Sequence, residues 1–170
     1  MSKHKYLVLG IHPSSRGFGW VLFENSLSAF DWGTVDIRGD KNARTLIRIG
    51  ALLDKYQPGA LAIEAFDEET SRRAPRIRRL YRALISRAEK RDVAVHRYTR
   101  ANIRAAFAGS RANTREEIAA AVAQHVEALR PRLPKLRKIW NGEHPNIALF
   151  NAAACALTHY IAMGGLAEPL

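Results

Sequence analysis

The sequence predicts one α/β domain built on a mixed five-stranded sheet, three antiparallel strands followed by two parallel ones, with helices flanking it. Three features lead there. The first three apolar runs are joined by polar links too short for a crossover, so they fold as an antiparallel meander. The fourth and fifth runs are each reached through a helical pattern, which makes them parallel additions. The last helical pattern is alanine-rich and apolar nearly all round, so it needs burial. The chain has 170 residues and is 47% apolar, which suits a single domain, residues 1–170, with a substantial core.

The first run, Tyr6 to Ile11, is continuously apolar, as in a strand covered on both faces. His12 and Pro13 end it, and Ser14, Ser15, Gly17 and Gly19 form a tight turn into the second strand, Phe18 to Glu24. The third strand spans about Ala29 to Ile37, entered through Asn25-Ser26-Leu27-Ser28. Asp40 then caps a helix whose stripe is Leu46, Ile47, Ile49, Leu52 and Leu53, and Gln57-Pro58-Gly59 stops it. Ala60-Leu61-Ala62-Ile63-Glu64 is the fourth strand, ending on a carboxylate. After the acidic stretch Asp67-Glu68-Glu69-Thr70 comes the most basic helix, with Arg72, Arg73, Arg76, Arg78, Arg79, Arg82 and Arg87. Its other face is Ile77, Leu80, Tyr81, Leu84 and Ala88, and Pro75 falls where a first turn tolerates it.

Val93 to Tyr98 is the fifth strand, and Thr99 caps a short helix from Arg100 to Phe107. Ala108 to Ala112 reads as a loop. Thr114 and Glu117 have capping-box spacing and start a helix through about Leu129. Arg130 to Trp140 is basic and broken by proline, so it is expected to be irregular. The final helix is predicted over Ile147 to Met163.

Charge is the strongest bulk signal. There are 27 Lys and Arg against 16 Asp and Glu, a formal net charge of +11. Much of the basic excess is arginine, whose planar fork matches phosphate oxygens, so a nucleic acid is the expected partner. A solubilising surface is the ordinary alternative. The single cysteine, Cys155, excludes an internal disulfide and fits a reducing, cytoplasmic compartment. No window approaches a membrane span, and the N-terminal residues read as the approach to a strand, not as a secretory signal; no membrane partner is expected.

The candidate site follows from topology. If the first and fourth strands are adjacent and parallel, His12 and Glu64 emerge at the same carboxyl edge, where α/β sheets place their sites. Asn151 is the polar residue in the first half of the apolar helix that must cover this sheet. Together these three form a candidate catalytic and metal-binding set. Singly, each has an ordinary alternative: a strand-end His, a surface Glu, a helix Asn bonded to backbone. His159, two turns beyond Asn151, is expected to be a packed structural residue, and Cys155 part of the core.

Four segments in register resemble the RuvC Holliday-junction resolvases, which have a ribonuclease H-like fold. Leu9-Gly10-Ile11-His12-Pro13-Ser14-Ser15-Arg16 is similar to an opening that reads L-G-I-D-P-G-S-R. Leu61-Ala62-Ile63-Glu64 is similar to A-I-E. Tyr98 to Ile118, with Gly109 and with Arg115 ahead of Glu116-Glu117-Ile118, resembles a segment ending G-x-G-x-A-x-K-x-Q-V. Asn151-Ala152-Ala153-Ala154-Cys155-Ala156-Leu157-Thr158-His159 resembles D-A-L-A-x-A-x-T-H.

The resemblance implies four acidic residues holding two Mg²⁺ ions that activate water and stabilise the leaving oxygen. Only Glu64 matches. His12 stands at the first acid, Ala148 at the third and Asn151 at the fourth. A ligand set of Glu64, His12 and Asn151 implies at most weak Mg²⁺ or Mn²⁺, because Mg²⁺ needs hard, charged oxygens and imidazole suits softer metals. Asp67, Glu68 or Glu69 could fold back to supplement it, or Glu143 or His144 could enter from the other side; ordinary loop charges are the alternative. The basic helix and the Arg130–Lys138 segment fit DNA-backbone contacts, with Arg16, Arg72, Arg73, Arg76, Arg79, Arg111, Arg115, Lys135, Arg137 and Lys138 as candidates, and the resemblance implies a homodimer facing a two-fold symmetric junction. Three readings follow: a branched-DNA binder with weak or absent cleavage, an endonuclease with an altered His/Glu/Asn site, and an interaction module of a larger nucleoprotein assembly.

Overall fold

The computed structural model describes residues 4–65, 75–135 and 144–170. Strands β1 (His4–Pro13), β2 (Gly17–Asn25) and β3 (Ser28–Asp36) form the meander, and α1 (Lys41–Tyr56) leads to β4 (Pro58–Glu64). Next come α2 (Pro75–Glu89), β5 (Ala94–Tyr98), α3 (Arg100–Ala106), α4 (Arg115–His125) and α5 (Ile147–Ala162). The sheet order is β3-β2-β1-β4-β5, antiparallel through β1 and parallel from β1 to β5, as predicted.

The period of two along each strand sorts the core into two layers. Leu7, Leu9 and Ile11 of β1, Phe18, Trp20 and Leu22 of β2, and Leu61 and Ile63 of β4 face α1 and α2. Val8 of β1, Val21 and Phe23 of β2, and Ala60 and Ala62 of β4 face α3, α4 and α5. Helix α5 fulfils its all-apolar pattern: every residue from Ile147 to His159 is buried. It lies directly on the sheet because two glycines let it. A Cβ at Gly10 would come within 2.2 Å of the Ala152 carbonyl oxygen, and one at Gly19 within 2.3 Å of the Ala148 and Leu149 backbone. Among the described residues, no helix is long and apolar enough to cross a membrane.

The predicted caps form. The Asp40 side chain accepts from the Ala43 N–H, and Gln57 closes α1 in the left-handed region at φ 46°. Thr99 with Asn102, and Thr114 with Glu117, make reciprocal capping boxes on α3 and α4. Some boundaries differ from expectation. Pro58 and Gly59 do not merely stop α1; they are the first residues of β4. Helix α4 ends at His125 and does not reach Leu129, because Val126 leaves helical geometry and a 3-10 turn, Glu127–Arg132, takes over around Pro131. The Arg130 side chain then donates back to the open carbonyls of Ala123 and Gln124. The expected loop after α3 holds a 3-10 turn, Ala108–Ser110, tied to the C-terminus by Ser110 N–H to Leu170 O at 2.9 Å and Leu170 N–H to Ala106 O at 2.8 Å. The acidic stretch 67–70 lies outside the described residues, as do residues 136–143.

Candidate functional site

The alternation that sorts the core also aims the site. Val8, Gly10 and His12 share the face of β1 that meets α5, and Ala60, Ala62 and Glu64 share the matching face of β4. Gly10 pairs with Ala62 in the parallel register, so His12 and Glu64, two residues further on each strand, end level. The His12 Nδ1 lies 3.6 Å from Glu64 Oε2, and both side chains are buried, 7% and 2% exposed. Asn151 is carried by α5, which lies over this half of the sheet. Ala148 covers Gly19, the register partner of His12, and Ala152 covers Gly10; Asn151 lies between them on that face of α5 and is buried. The topology thus brings His12 and Glu64 together at one edge, and Asn151 is buried on the helix that covers it.

Among the described residues, the closest partner of Glu64 is Arg115. Its NH2 donates to Glu64 Oε1 at 3.2 Å and to Oε2 at 3.3 Å, and its NH1 to Oε2 at 3.3 Å. Arg115 can do this because it is the first residue of α4, presented by the Thr114 capping box. There the Thr114 hydroxyl accepts from the Glu117 N–H, and the Glu117 carboxylate accepts from the Thr114 and Asn113 N–H groups. Those backbone donors hold the Glu117 carboxyl below the usual range. A second guanidinium is close. Arg100 follows Tyr98, the register partner of Glu64, by two residues. Burial first, and then the like charge of Arg115, lower its pKa, while Glu64 opposes them. Behind Glu64, Cys155 is fully buried, and burial together with the Glu64 charge pushes its thiol pKa far up, so it is core, as predicted.

His159 is structural in its surroundings. Its Nδ1 sits 2.7 Å from the Tyr98 hydroxyl and its ring centroid 4.4 Å from that of His96. Burial, reinforced by His96, pushes its pKa down to about 4.

These donors do not fit a pair of Mg²⁺ ions. Among the described residues there is one carboxylate, and both of its oxygens already accept from a guanidinium, with an imidazole beside it. Mg²⁺ needs near-octahedral hard oxygens, and nothing among the described residues balances two dications. Among the described residues, no three His, Cys, Asp or Glu group to hold a metal. Of the residues considered as supplements, Asp67, Glu68, Glu69 and Glu143 lie outside the described residues. His144 is exposed and accepts the Asn146 N–H at 3.1 Å at the start of α5.

The basic residues fall on several surfaces. Arg16 lies in the β1–β2 turn, beside a depression of about 230 Å³ that Ser14, Asp36, His144 and Ala148 also line. Lys41 donates to the Ser15 carbonyl, which anchors the start of α1 to that same edge. Arg76 is joined to α1 by a reciprocal pair with Asn42, 3.1 Å and 3.0 Å. Arg79 is exposed one turn further along α2, but Arg87 is about 16 Å along the helix from Arg76 at 1.5 Å per residue, away from the edge. Arg111 is exposed in the left-handed region at φ 55°, and Lys135 is exposed beside a second, apolar depression. Arg72, Arg73, Arg137 and Lys138 lie outside the described residues. The sequence reading missed Arg100; its position just past the carboxyl end of a parallel strand was the available signal.

A five-stranded sheet of this order, with polar groups gathered at the carboxyl ends of β1 and β4 under a final buried helix, defines the ribonuclease H-like class. Within that class, residues 8–159 match the family described as crossover junction endodeoxyribonuclease RuvC, and the chain belongs to that family. Two solved structures are similar. Thermus thermophilus RuvC in complex with Holliday junction substrate is 24% identical, with a TM-score of 0.68, covering 96% of this chain and 99% of that one. A second Thermus thermophilus RuvC structure is 23% identical, with a TM-score of 0.65 and the same coverage. No curated protein sequence matches.

Proposed function

We propose that this chain binds branched DNA, four-way junctions first among them, and that its cleft supports little or no metal-dependent cleavage. The observation that carries this reading is the Glu64–Arg115 pair. The one acid retained from the family's pattern has both oxygens engaged by a guanidinium, with His12 alongside where a second acid would stand. The net charge of +11, and the exposed Arg16, Arg79, Arg111 and Lys135, supply phosphate contacts. A homodimer presenting two clefts would suit a junction's symmetry. A similar structure is a RuvC bound to a Holliday junction, which supports the choice of substrate.

The test incubates purified protein with end-labelled four-way junctions and matched linear duplex, with Mg²⁺ or Mn²⁺. The expected result is a retarded junction complex, preferred over duplex, with intact strands. Cleavage that Glu64→Ala abolishes would establish instead an endonuclease with an altered site, a reading favoured by the nearness of His12 to Glu64. Junction affinity indifferent to salt would point to an interaction module.

A further inference from the structure

We infer that the cleft at the ends of β1, β4 and β5 is an anion receptor: Arg115, held by Glu64 and seconded by Arg100, binds a backbone phosphodiester directly, with no divalent cation. The inference rests on the junction-binding reading for the source of that phosphate, but not for the anion site itself.

A site that holds two dications must be strongly negative before they bind. Among the described residues this one has a single carboxylate and two guanidiniums within electrostatic reach of it, so with the His12 imidazole left out of the sum their charges add to a positive value. Its sign is thus the opposite of what a dication pair requires, and it favours an anion. Geometry comes next. Glu64 is 2% exposed and receives the terminal nitrogens of Arg115, whereas the Arg115 side chain stays 27% exposed. A guanidinium has five N–H donors in a fixed plane, so one edge can be spent on a carboxylate while another faces the cleft. The buried carboxylate thereby orients an arginine that would otherwise sample many rotamers, which lowers the ordering cost of a second, charge-assisted contact. Arg100 stands on the same edge, two residues past the register partner of Glu64. A tetrahedral oxyanion with two free oxygens is what two neighbouring guanidiniums recognise. On a basic protein of this family the abundant source is the DNA backbone, and free phosphate shares the same chemistry.

The experiment measures anisotropy of a labelled four-way junction in excess EDTA and in millimolar Mg²⁺, for wild type, Glu64→Gln, the double variant Glu64→Gln/Arg115→Gln, and Arg48→Ala. Arg48 is exposed on α1, on the opposite face of the sheet from α5, and serves as the control. Glutamine at both positions keeps a hydrogen-bonded pair, so the double variant is expected to fold, as a melting curve will show. The inference expects affinity in EDTA at least equal to that in Mg²⁺, which competes for phosphates, roughly three- to tenfold tighter binding by Glu64→Gln because one negative charge leaves the phosphate's surroundings, and roughly tenfold weaker binding by the double variant. In parallel, inorganic phosphate should raise the melting temperature of wild type above that in chloride of equal ionic strength, and should do so less for the double variant. Binding that requires Mg²⁺ and is lost in Glu64→Gln would overturn the anion receptor and leave the junction reading standing. If no junction is bound under any condition, the junction reading fails, while the phosphate-induced shift still decides the receptor: its absence in wild type overturns it.

Discussion

The Tyr98 hydroxyl lies 2.7 Å from His159 Nδ1, which ties the last residue of β5 to α5 across the half of the sheet that carries the site. Burial and His96 hold the His159 pKa near 4, below the ordinary value of 6.5. A folded value below the unfolded one means the unfolded chain takes up the proton first as pH falls. His159 therefore contributes stability that is fully present above pH 6.5 and is lost on acidification toward pH 4. The loss is at most about 3 kcal/mol. Denaturant titrations stepped across that window should show the decline, and His159→Gln should flatten it.

Gly10 tolerates no side chain. Its Cβ would meet the Ala152 carbonyl oxygen at 2.2 Å, and backbone cannot turn aside as a rotamer can. Gly10→Ala should lift α5 from the sheet and cost roughly 1–3 kcal/mol or more, read as a lower denaturation midpoint, and it should weaken junction binding with it.

Removing Arg115 alone should be more damaging than neutralising the pair. Arg115→Ala strips the 2% exposed Glu64 carboxyl of its guanidinium and leaves it beside His12, at a cost of up to about 3–5 kcal/mol. The Glu64→Gln/Arg115→Gln variant should recover most of that loss. Equal melting temperatures for the two variants would show that the pair does not stabilise the fold.

Thr114→Ala removes the acceptor for the Glu117 N–H and should cost about 1 kcal/mol. Arg115 is the next residue, so the same change should also loosen the Glu64 contact and lower junction affinity. An Ala substitution at Thr99 offers the comparison for Arg100.

Binding should fall linearly on a log–log plot against salt, and Arg79→Ala should reduce the slope by about one if that exposed arginine meets a phosphate. An unchanged slope would remove α2 from the interface.

Most of the architecture could be read in advance because each element carries its own local signal. The apolar alternation of β1 and β2, the reciprocal Thr99 and Thr114 caps, and the unbroken apolar length of α5 each decide one element without help from the others. Legible too was the meeting of His12 and Glu64, since parallel pairing of β1 with β4 makes it a matter of counting residues. What sequence could not deliver was the Glu64–Arg115 pair. It joins residues 51 apart, and its reach depends on where the α4 capping box sets the first turn. The end of α4 was equally hidden, because nothing local to Val126 forbids another helical turn; the 3-10 turn and the returning Arg130 side chain replace it.

Register between β1 and β4 puts positions 12 and 64 at the same height through main-chain pairing alone. The address is thus independent of the tenant. Exchanging the side chain at either strand end would change the chemistry of that edge without touching the main-chain pairing that sets its height.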